Sequence, residues 1–313
     1  MKTSDYPHYR CSFAEFNKAQ EAVVPFLDKD VNLVVSFRTA VGKTALAECA
    51  IGYHLSNGDE SKVIYISPYK SISSERQRAW LNDEQISKYG ILLHTGDLHT
   101  LPEEYSKNRV IIMTSESLDS RIRQYGRDDW IAHVECVVFD EAHLLGQKRR
   151  GSSIEAGIMN ITRLNPNARL ILLSATMSNA KDIAKWIKSL NGKSTKYIWS
   201  DWRPVEVNLN YHSFDDSNYE SEKNKVTKVI EVVTNGQFYG KTIVFVHSKR
   251  TGKEIARQLA HRGIRCAFHN ASLSHAAREK IEKEFDDPYS GLNFLVSTST
   301  LSSGVNIGST THD

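Results

Sequence analysis

Phe37-Arg38-Thr39-Ala40-Val41-Gly42-Lys43-Thr44 stands between the apolar run Asn32-Leu33-Val34-Val35-Ser36 and the helix-forming Ala45-Leu46-Ala47-Glu48. A Gly-Lys-Thr turn between a strand and a helix is suited to phosphate. The N–H groups of a helix N-terminus point at the anion, glycine lets the backbone approach, and lysine adds a point charge. The string alone arises by chance in roughly one chain in six at average composition. Its place after a strand and before a helix therefore carries the reading. Phe37 stands where such loops usually begin with a small residue, so a tighter or differently shaped loop is expected.

Outward from this loop, β-branched runs recur, each closed by a polar or glycine-bearing turn and followed by a helical pattern. Lys62-Val63-Ile64-Tyr65-Ile66 leads into Ser67-Pro68, and Val110-Ile111-Ile112-Met113 into Thr114. Cys136-Val137-Val138-Phe139 leads into Asp140, and Arg169-Leu170-Ile171-Leu172-Leu173 into Ser174. Continuous apolar runs alternating with helices predict an α/β fold with a parallel sheet covered on both faces. Ligands gather at the carboxyl ends of such strands, and each of these turns falls at one. A second series follows Trp202-Arg203-Pro204. Val205 to Tyr211 alternates like a half-buried strand, and strands are predicted at 242–246, 265–268 and 292–296. The boundary is placed near residues 200–206, giving domains 1–203 and 204–313, the second incomplete at its C-terminus.

Asp140-Glu141-Ala142-His143 is a far rarer string, expected by chance in roughly one chain in several hundred. Asp140 at a strand end suits Mg²⁺ held through water, and Thr44 offers the metal a hydroxyl. Glu141 suits a general base in line with a γ-phosphate. His143 reads as a coupling residue that bonds toward Ser174-Ala175-Thr176.

The bulk numbers agree with a globular protein. With 313 residues, 40% hydrophobic and 25% charged, the chain is long enough for about two domains with cores of their own. A net charge of +3 does not by itself demand a polyanion. Clusters such as Lys148-Arg149-Arg150, Lys249-Arg250 with Lys253, and Arg262 with Arg265 each read singly as solvated faces. Cys11, Cys49, Cys136 and Cys266 show no metal-ligand spacing and point to a reducing, intracellular compartment. With no signal-peptide pattern and no bilayer-length apolar run, the expectation is a soluble protein without a membrane partner.

The order Gln20, Gly42-Lys43-Thr44, Asp140-Glu141-Ala142-His143 and Ser174-Ala175-Thr176 resembles the core of the superfamily 2 (DEAD/DEAH-box) helicases. Ser67-Pro68-Tyr69-Lys70, Thr95-Gly96-Asp97 and Thr114-Ser115-Glu116 look like that group's single-strand contact motifs. Arg150-Gly151 with Glu155, Ser174 to Ala180 and Trp202-Arg203-Pro204-Val205 resemble the branch containing superkiller-type RNA helicases and archaeal fork-repair DNA helicases. Val244 to Ser248, Phe268 to Leu273 and Thr298 to Asn306 continue the likeness through the second half.

The resemblance implies two RecA-like domains, ATP and Mg²⁺ as cofactors, and translocation along a single strand or tailed duplex in the 3′ to 5′ direction, with DNA favoured and RNA the alternative substrate. It implies that Gln20 reads adenine with Phe16 packed nearby. It also implies that Thr39, Gly42, Lys43 and Thr44 hold the phosphates and metal, and that Gly304 and Asn306 face the nucleotide from the second domain. Strand contacts are carried over to Pro68, Thr95, Gly96, Thr114, His269 and Thr298. Small polar groups and N–H donors of this kind grip phosphates without reading sequence.

Two departures stand out. Arg38 occupies a loop position where relatives usually carry proline. The closing Gln-x-x-Gly-Arg-x-Gly-Arg motif, whose arginines stabilise the transferring γ-phosphate, does not occur, and the single Gly-Arg pair is Gly126-Arg127. The expectation is a fragment or shortened form that binds ATP but turns it over poorly. The alternative is a non-hydrolysing, ATP-gated nucleic-acid-binding module completed by a protein partner that supplies the missing motif. A P-loop kinase is disfavoured, because the second half matches helicase motifs and not an acceptor site.

Overall fold

Asn32–Phe37 (β1), Lys62–Ser67 (β2), Ile91–His94 (β3), Val110–Thr114 (β4), Val134–Phe139 (β5), Arg169–Ser174 (β6) and Thr195–Ser200 (β7) form one parallel sheet. Their order across it is β3-β4-β2-β5-β6-β1-β7. The computed structural model describes residues 1–96, 100–125, 129–148, 151–215, 221–236, 240–298 and 301. It divides into two units, Met1–Glu206 and Val207–Asp313.

The helices of the first unit are α1 (Lys18–Glu21), α2 (Lys43–Ser56), α3 (Lys70–Leu81), α4 (Glu84–Ser87), α5 (Pro102–Lys107), α6 (Ser115–Tyr125), α7 (Gly151–Leu164) and α8 (Ala180–Asn191). Period-two alternation sends neighbouring strand residues to opposite cores. Leu33, Val35, Val63, Tyr65, Ile171 and Leu173 pack with Leu46, Ile51 and Leu55 of α2. Val34, Ile64, Ile66, Leu170 and Leu172 pack on the other face with Ile154 and Ile158 of α7 and Ile183 of α8. Burial on both faces is why these strands are near-continuous apolar runs. The two edge strands, β3 and β7, were not anticipated. They are only partly buried, so their apolar signal is short or interrupted by Lys196 and Ser200.

The second unit carries α9 (Ser221–Asn235), β8 (Thr242–Phe245), α10 (Lys249–His261), β9 (Cys266–His269), α11 (His275–Asp286) and β10 (Phe294–Ser297). Its three strands are parallel in the order β8-β10-β9. Ser248 caps α10 by accepting from Thr251 N, and Ser274 caps α11 by accepting from Ala277 N. The strand expected at Val205–Tyr211 does not form. Val205, Val207, Leu209 and Tyr211 are 49–90% exposed, and no ladder partner for them occurs among the described residues. Alternation marks a face, but a strand also needs a neighbour for its backbone groups. No helix among the described residues is long and apolar enough to cross a membrane.

Candidate nucleotide and nucleic-acid sites

Parallel pairing brings the carboxyl ends of the strands level, with Ser36 beside Ser174, Ile66 beside Phe139 and Ser67 beside Thr114. The sheet order then sorts the motifs. The turns after the adjacent strands β5, β6 and β1 carry Asp140-Glu141, Ser174-Ala175-Thr176 and the phosphate loop. Those after β3, β4 and β2, also adjacent, carry Thr95-Gly96, Thr114 and Ser67-Pro68-Tyr69-Lys70.

The phosphate loop is held from behind by α1. Asn17 and Gln20 form a capping box, Asn17 Nδ2 donates to Val41 O at 3.0 Å, and Gln20 Nε2 donates to Gly42 O at 3.1 Å. Gly42 lies in the left-handed region at φ +82, where a Cβ would come within 2.6 Å of Gln20 Nε2. The position needs glycine both for its backbone and for its neighbour. Ala40 also has positive φ, at 64°, in a loop that begins with Phe37. Lys43 is 9% exposed, and its Nζ donates to Arg38 O at 3.3 Å. Burial holds its ammonium below the ordinary lysine range, opposed by Glu141 and Asp140. Thr39 is exposed at the outer side of the loop, and Thr44 lies in the first turn of α2.

Asp140 Oδ2 accepts from Tyr65 OH at 2.6 Å, and its Oδ1 accepts from Glu141 N at 2.9 Å. Burial pushes its carboxyl above the usual aspartate range, against the Tyr65 bond and the charge of Lys43. Glu141 is in the left-handed region at φ 51, which turns its carboxylate back toward His143 Nδ1, 3.1 Å away. Burial works against its ionisation, but His143 and Lys43 outweigh it and hold the group below the usual glutamate range. The expected bond from His143 toward Ser174-Ala175-Thr176 is therefore not formed. His143 faces Glu141, while Ser36 Oγ donates to Ala175 O at 3.4 Å and accepts from Met177 N at 3.1 Å. Ser174 is buried and Thr176 exposed.

Among the described residues, Arg38 Nε and Arg76 Nε are buried without a hydrogen-bond partner, and Glu141 Oε2 and His143 Nδ1 have none beyond their own 3.1 Å contact. Their sequence positions are the phosphate loop, the helix beside it and the Asp-Glu-Ala-His turn. Orphaned polar groups gathered in one place call for a ligand that would satisfy them. Cationic donors, a phosphate-type loop and hard oxygen ligands from Thr44 and Asp140 suit a nucleoside triphosphate with Mg²⁺.

The other expected contacts lie as follows. Phe16 is buried at 4% exposure, edge-on to Phe13, so the half-exposed Phe13 is the ring of that pair that could meet a base. Pro68 is buried, leaving Tyr69 and Lys70 as the outward groups of its turn. Thr114 is buried and accepts from Ser117 N at 3.2 Å at the start of α6. Thr95 is buried, whereas Gly96 is exposed, with no atom within 4 Å of where its Cβ would stand.

In the second unit, His269 is 1% exposed and its Nε2 lies 2.8 Å from Glu282 Oε1. Thr298 N donates to His269 O at 3.2 Å, which places the ends of β9 and β10 together. A side chain this buried and tied cannot reach a strand as it stands. Gly304 and Asn306 lie outside the described residues, as do Asp97, Gly126-Arg127 and Arg149-Arg150. Two residues of the first site were missed at the sequence level. Tyr65 reads as an ordinary core aromatic, and Arg76 as a solvated charge on a polar helix.

A phosphate loop after β1 and an acidic turn after β5, on the two strands that flank β6 in a parallel sheet, define a RecA-like nucleotide-binding protein. Residues 17–183 match the DEAD/DEAH box helicase family, and residues 224–312 match the helicase conserved C-terminal domain. The chain belongs to the DEAD/DEAH box helicase family. It is 30% identical to the ATP-dependent DNA helicase Hel308 of Pyrococcus abyssi over 91% of its own length and 43% of that protein. To Hel308 of Thermoplasma volcanium it is 29% identical over 96% of the chain and 45% of the relative. The chain thus spans less than half the length of these two relatives. In fold it is similar to the DUF1998 helicase MrfA bound to DNA and AMPPNP (TM-score 0.72, 18% identity, 95% of this chain and 43% of that one). It is also similar to S. cerevisiae Dbp5 bound to RNA and ADP BeF3 (TM-score 0.65, 19% identity, 94% and 73%).

Proposed function

We propose that this chain is the motor core of an ATP-dependent nucleic-acid helicase. It grips one DNA strand and moves 3′ to 5′, with residues 1–203 as the ATP-binding domain and 204–313 as the second. The observation that carries the reading is the sorting of the sheet edge into a nucleotide half (β5, β6, β1) and a strand-contact half (β3, β4, β2). DNA is favoured by likeness to the Hel308 DNA helicases, and polarity by the motif resemblance.

Bound Mg²⁺–ATP would supply the γ-phosphoryl group and the charge that polarises it. Gly42 N–H and Lys43 Nζ would bind the phosphates, Gln20 would face adenine, and Thr39 would close the outer side of the loop. Thr44 Oγ1 and Asp140 would hold the metal, Asp140 through water. Glu141 Oε2, which His143 Nδ1 faces at 3.1 Å and which is held below the usual glutamate range, would accept a proton from the attacking water. His143, Ser174 and Thr176 would couple that step to the strand side. There Tyr69 and Lys70 beside Pro68, together with Gly96 and the turns that hold the buried Thr95 and Thr114, would grip backbone phosphates, as would the turn at the buried Thr298 beside His269 in the second domain.

Nucleotide binding and ATP turnover, each measured with and without single strands, test this on the parent, Lys43→Ala and Glu141→Gln. Lys43→Ala should abolish nucleotide binding, while Glu141→Gln should bind and not turn over. Turnover unaffected by both changes sinks the reading. Competition between matched DNA and RNA strands decides the substrate, and equal affinity removes the preference for DNA.

A further inference from the structure

Arg76 sits on α3, two turns after the strand-contact residues Ser67-Pro68-Tyr69-Lys70, yet its guanidinium points at the nucleotide side of the sheet edge. Nη2 donates to Thr44 Oγ1 at 3.4 Å, and Nη1 lies 3.5 Å from Glu48 Oε1. Its charge is also near enough to oppose the upward push that burial gives the Tyr65 hydroxyl, the group bonded to Asp140. Both hydrogen bonds are at the long limit of useful geometry. Nε is buried without a partner among the described residues, although the side chain is only 20% exposed. The guanidinium also lies 5.8 Å from the centroid of the Trp80 ring, yet a cation this far out of water with two long bonds and an unpartnered Nε is costly unless another state of the site uses it better.

We propose that Arg76 is the positioning residue that couples strand binding to nucleotide loading, an inference that rests on the motor reading above. Thr44 and Glu48 are one turn apart on the same face of α2, so they offer the guanidinium two discrete acceptors. Trp80 Nε1 donates to Glu48 Oε1 at 2.9 Å and fixes the second acceptor in place. Without metal, the Thr44 oxygen is free to accept from Arg76. With metal on that oxygen, like-charge repulsion at short range drives the guanidinium toward Glu48. Arg76 is anchored on α3, so the exchange moves the helix whose first turn follows Pro68 and Tyr69. A contact shared between two acceptors, one of which the metal would take, gives the two arrangements that coupling requires, and the coupling must be reciprocal.

The test measures the affinity of the full chain for a labelled single DNA strand, without nucleotide and with Mg²⁺–AMPPNP, by fluorescence anisotropy. A Mg²⁺ titration of nucleotide binding is run alongside. The parent should show a nucleotide-dependent change in strand affinity of roughly fivefold or more. Arg76→Ala should bring that ratio close to one while nucleotide and strand each still bind, and Arg76→Lys should restore part of it. Arg76→Gln, which keeps a donor for Glu48 but no charge, carries the same expectation as Arg76→Ala and replaces it should the alanine variant not fold. An unchanged ratio in Arg76→Ala or Arg76→Gln overturns the coupling role and leaves the motor reading standing. Failure of the parent itself to bind nucleotide or strand overturns the motor reading and this inference together.

Discussion

The hydroxyl of Tyr65 donates to Asp140 Oδ2 at 2.6 Å, joining β2 to the turn that follows β5. These strands are neighbours, and the border between them separates the two sets of motifs on the sheet edge. Tyr65 is fully buried and stacks edge-on against Trp80 at 5.1 Å, so its hydroxyl has one fixed direction. Burial raises the phenol well above its ordinary value, and the proton stays on the tyrosine as donor.

Tyr65→Phe removes this bond and nothing larger. Stability should fall by about 1 kcal/mol, since one hydrogen bond is lost without a cavity. The Mg²⁺ needed for half-maximal nucleotide binding should rise roughly tenfold, as expected when a partner that orients a metal-holding carboxylate is lost. Fluorescent-nucleotide titration against Mg²⁺ is the measurement. An unchanged Mg²⁺ requirement would show that Asp140 needs no such orientation.

Gly42→Ala should be more damaging than one methyl group implies. The residue is at φ +82, and the new Cβ would meet Gln20 Nε2 at 2.6 Å. Left-handed backbone costs a non-glycine residue roughly 1–2 kcal/mol, before any displacement of Gln20. Nucleotide affinity should drop at least as far as in Gln20→Ala, because the loop shifts as well as its support. Adding Gln20→Ala to Gly42→Ala should recover stability only in part, since the clash is relieved and the φ penalty stays. Thermal melts and nucleotide titrations of the three variants decide it.

The two central sets of strands were legible because residues such as Val34, Val35, Ile64 and Val137 are buried on both faces and leave no polar interruption. The phosphate loop and Asp140-Glu141-Ala142-His143 were legible because their chemistry is confined to a few contiguous residues. Tyr65 and Arg76 were not, because each acts on a residue 75 or 32 positions away and resembles its neighbours locally. His269 and Pro68 were assigned outward roles by motif, but motif likeness carries no information on solvent exposure, and the structure buries both. Val205–Tyr211 shows the reverse failure, since its pattern is strand-like and its pairing partner is absent among the described residues.

Acid should remove one identifiable contribution to stability. Glu135 accepts from His54 Nδ1 at 3.3 Å and from Ser61 Oγ at 2.8 Å, and the His54 bond above all holds its carboxyl below the ordinary glutamate value. A depressed carboxylate stabilises the fold above its unfolded pKa of 4.5, and this is lost as pH falls through the lower folded value. Glu135→Gln should melt lower than the parent at pH 7, with the difference shrinking below pH 4.5. The side chain is 47% exposed, so the effect should be modest and smaller in high salt. Curves that stay parallel down to acid pH would remove Glu135 as the source.

Arg169 should be the costliest single side chain to lose outside the site. It is fully buried at the start of β6, where Nε donates to Val31 O at 2.8 Å, Nη1 to Leu27 O at 2.7 Å and Nη2 to Phe26 O at 2.7 Å. These carbonyls belong to the turn that feeds β1, so the guanidinium fixes the path by which the chain enters the phosphate loop. Arg169→Ala removes three charge-assisted bonds, Phe26 O keeping only its 3.3 Å bond from Lys29 N, and opens a cavity, a loss of about 3–5 kcal/mol. Arg169→Lys keeps the charge, but one ammonium cannot serve three carbonyls in the spread of a planar fork, so it should recover less than half of the loss. Urea midpoints at constant m separate the outcomes. If Arg169→Lys matches the parent, it is the charge and not the fork that holds the turn. If Arg169→Ala does, the three bonds contribute no net stability.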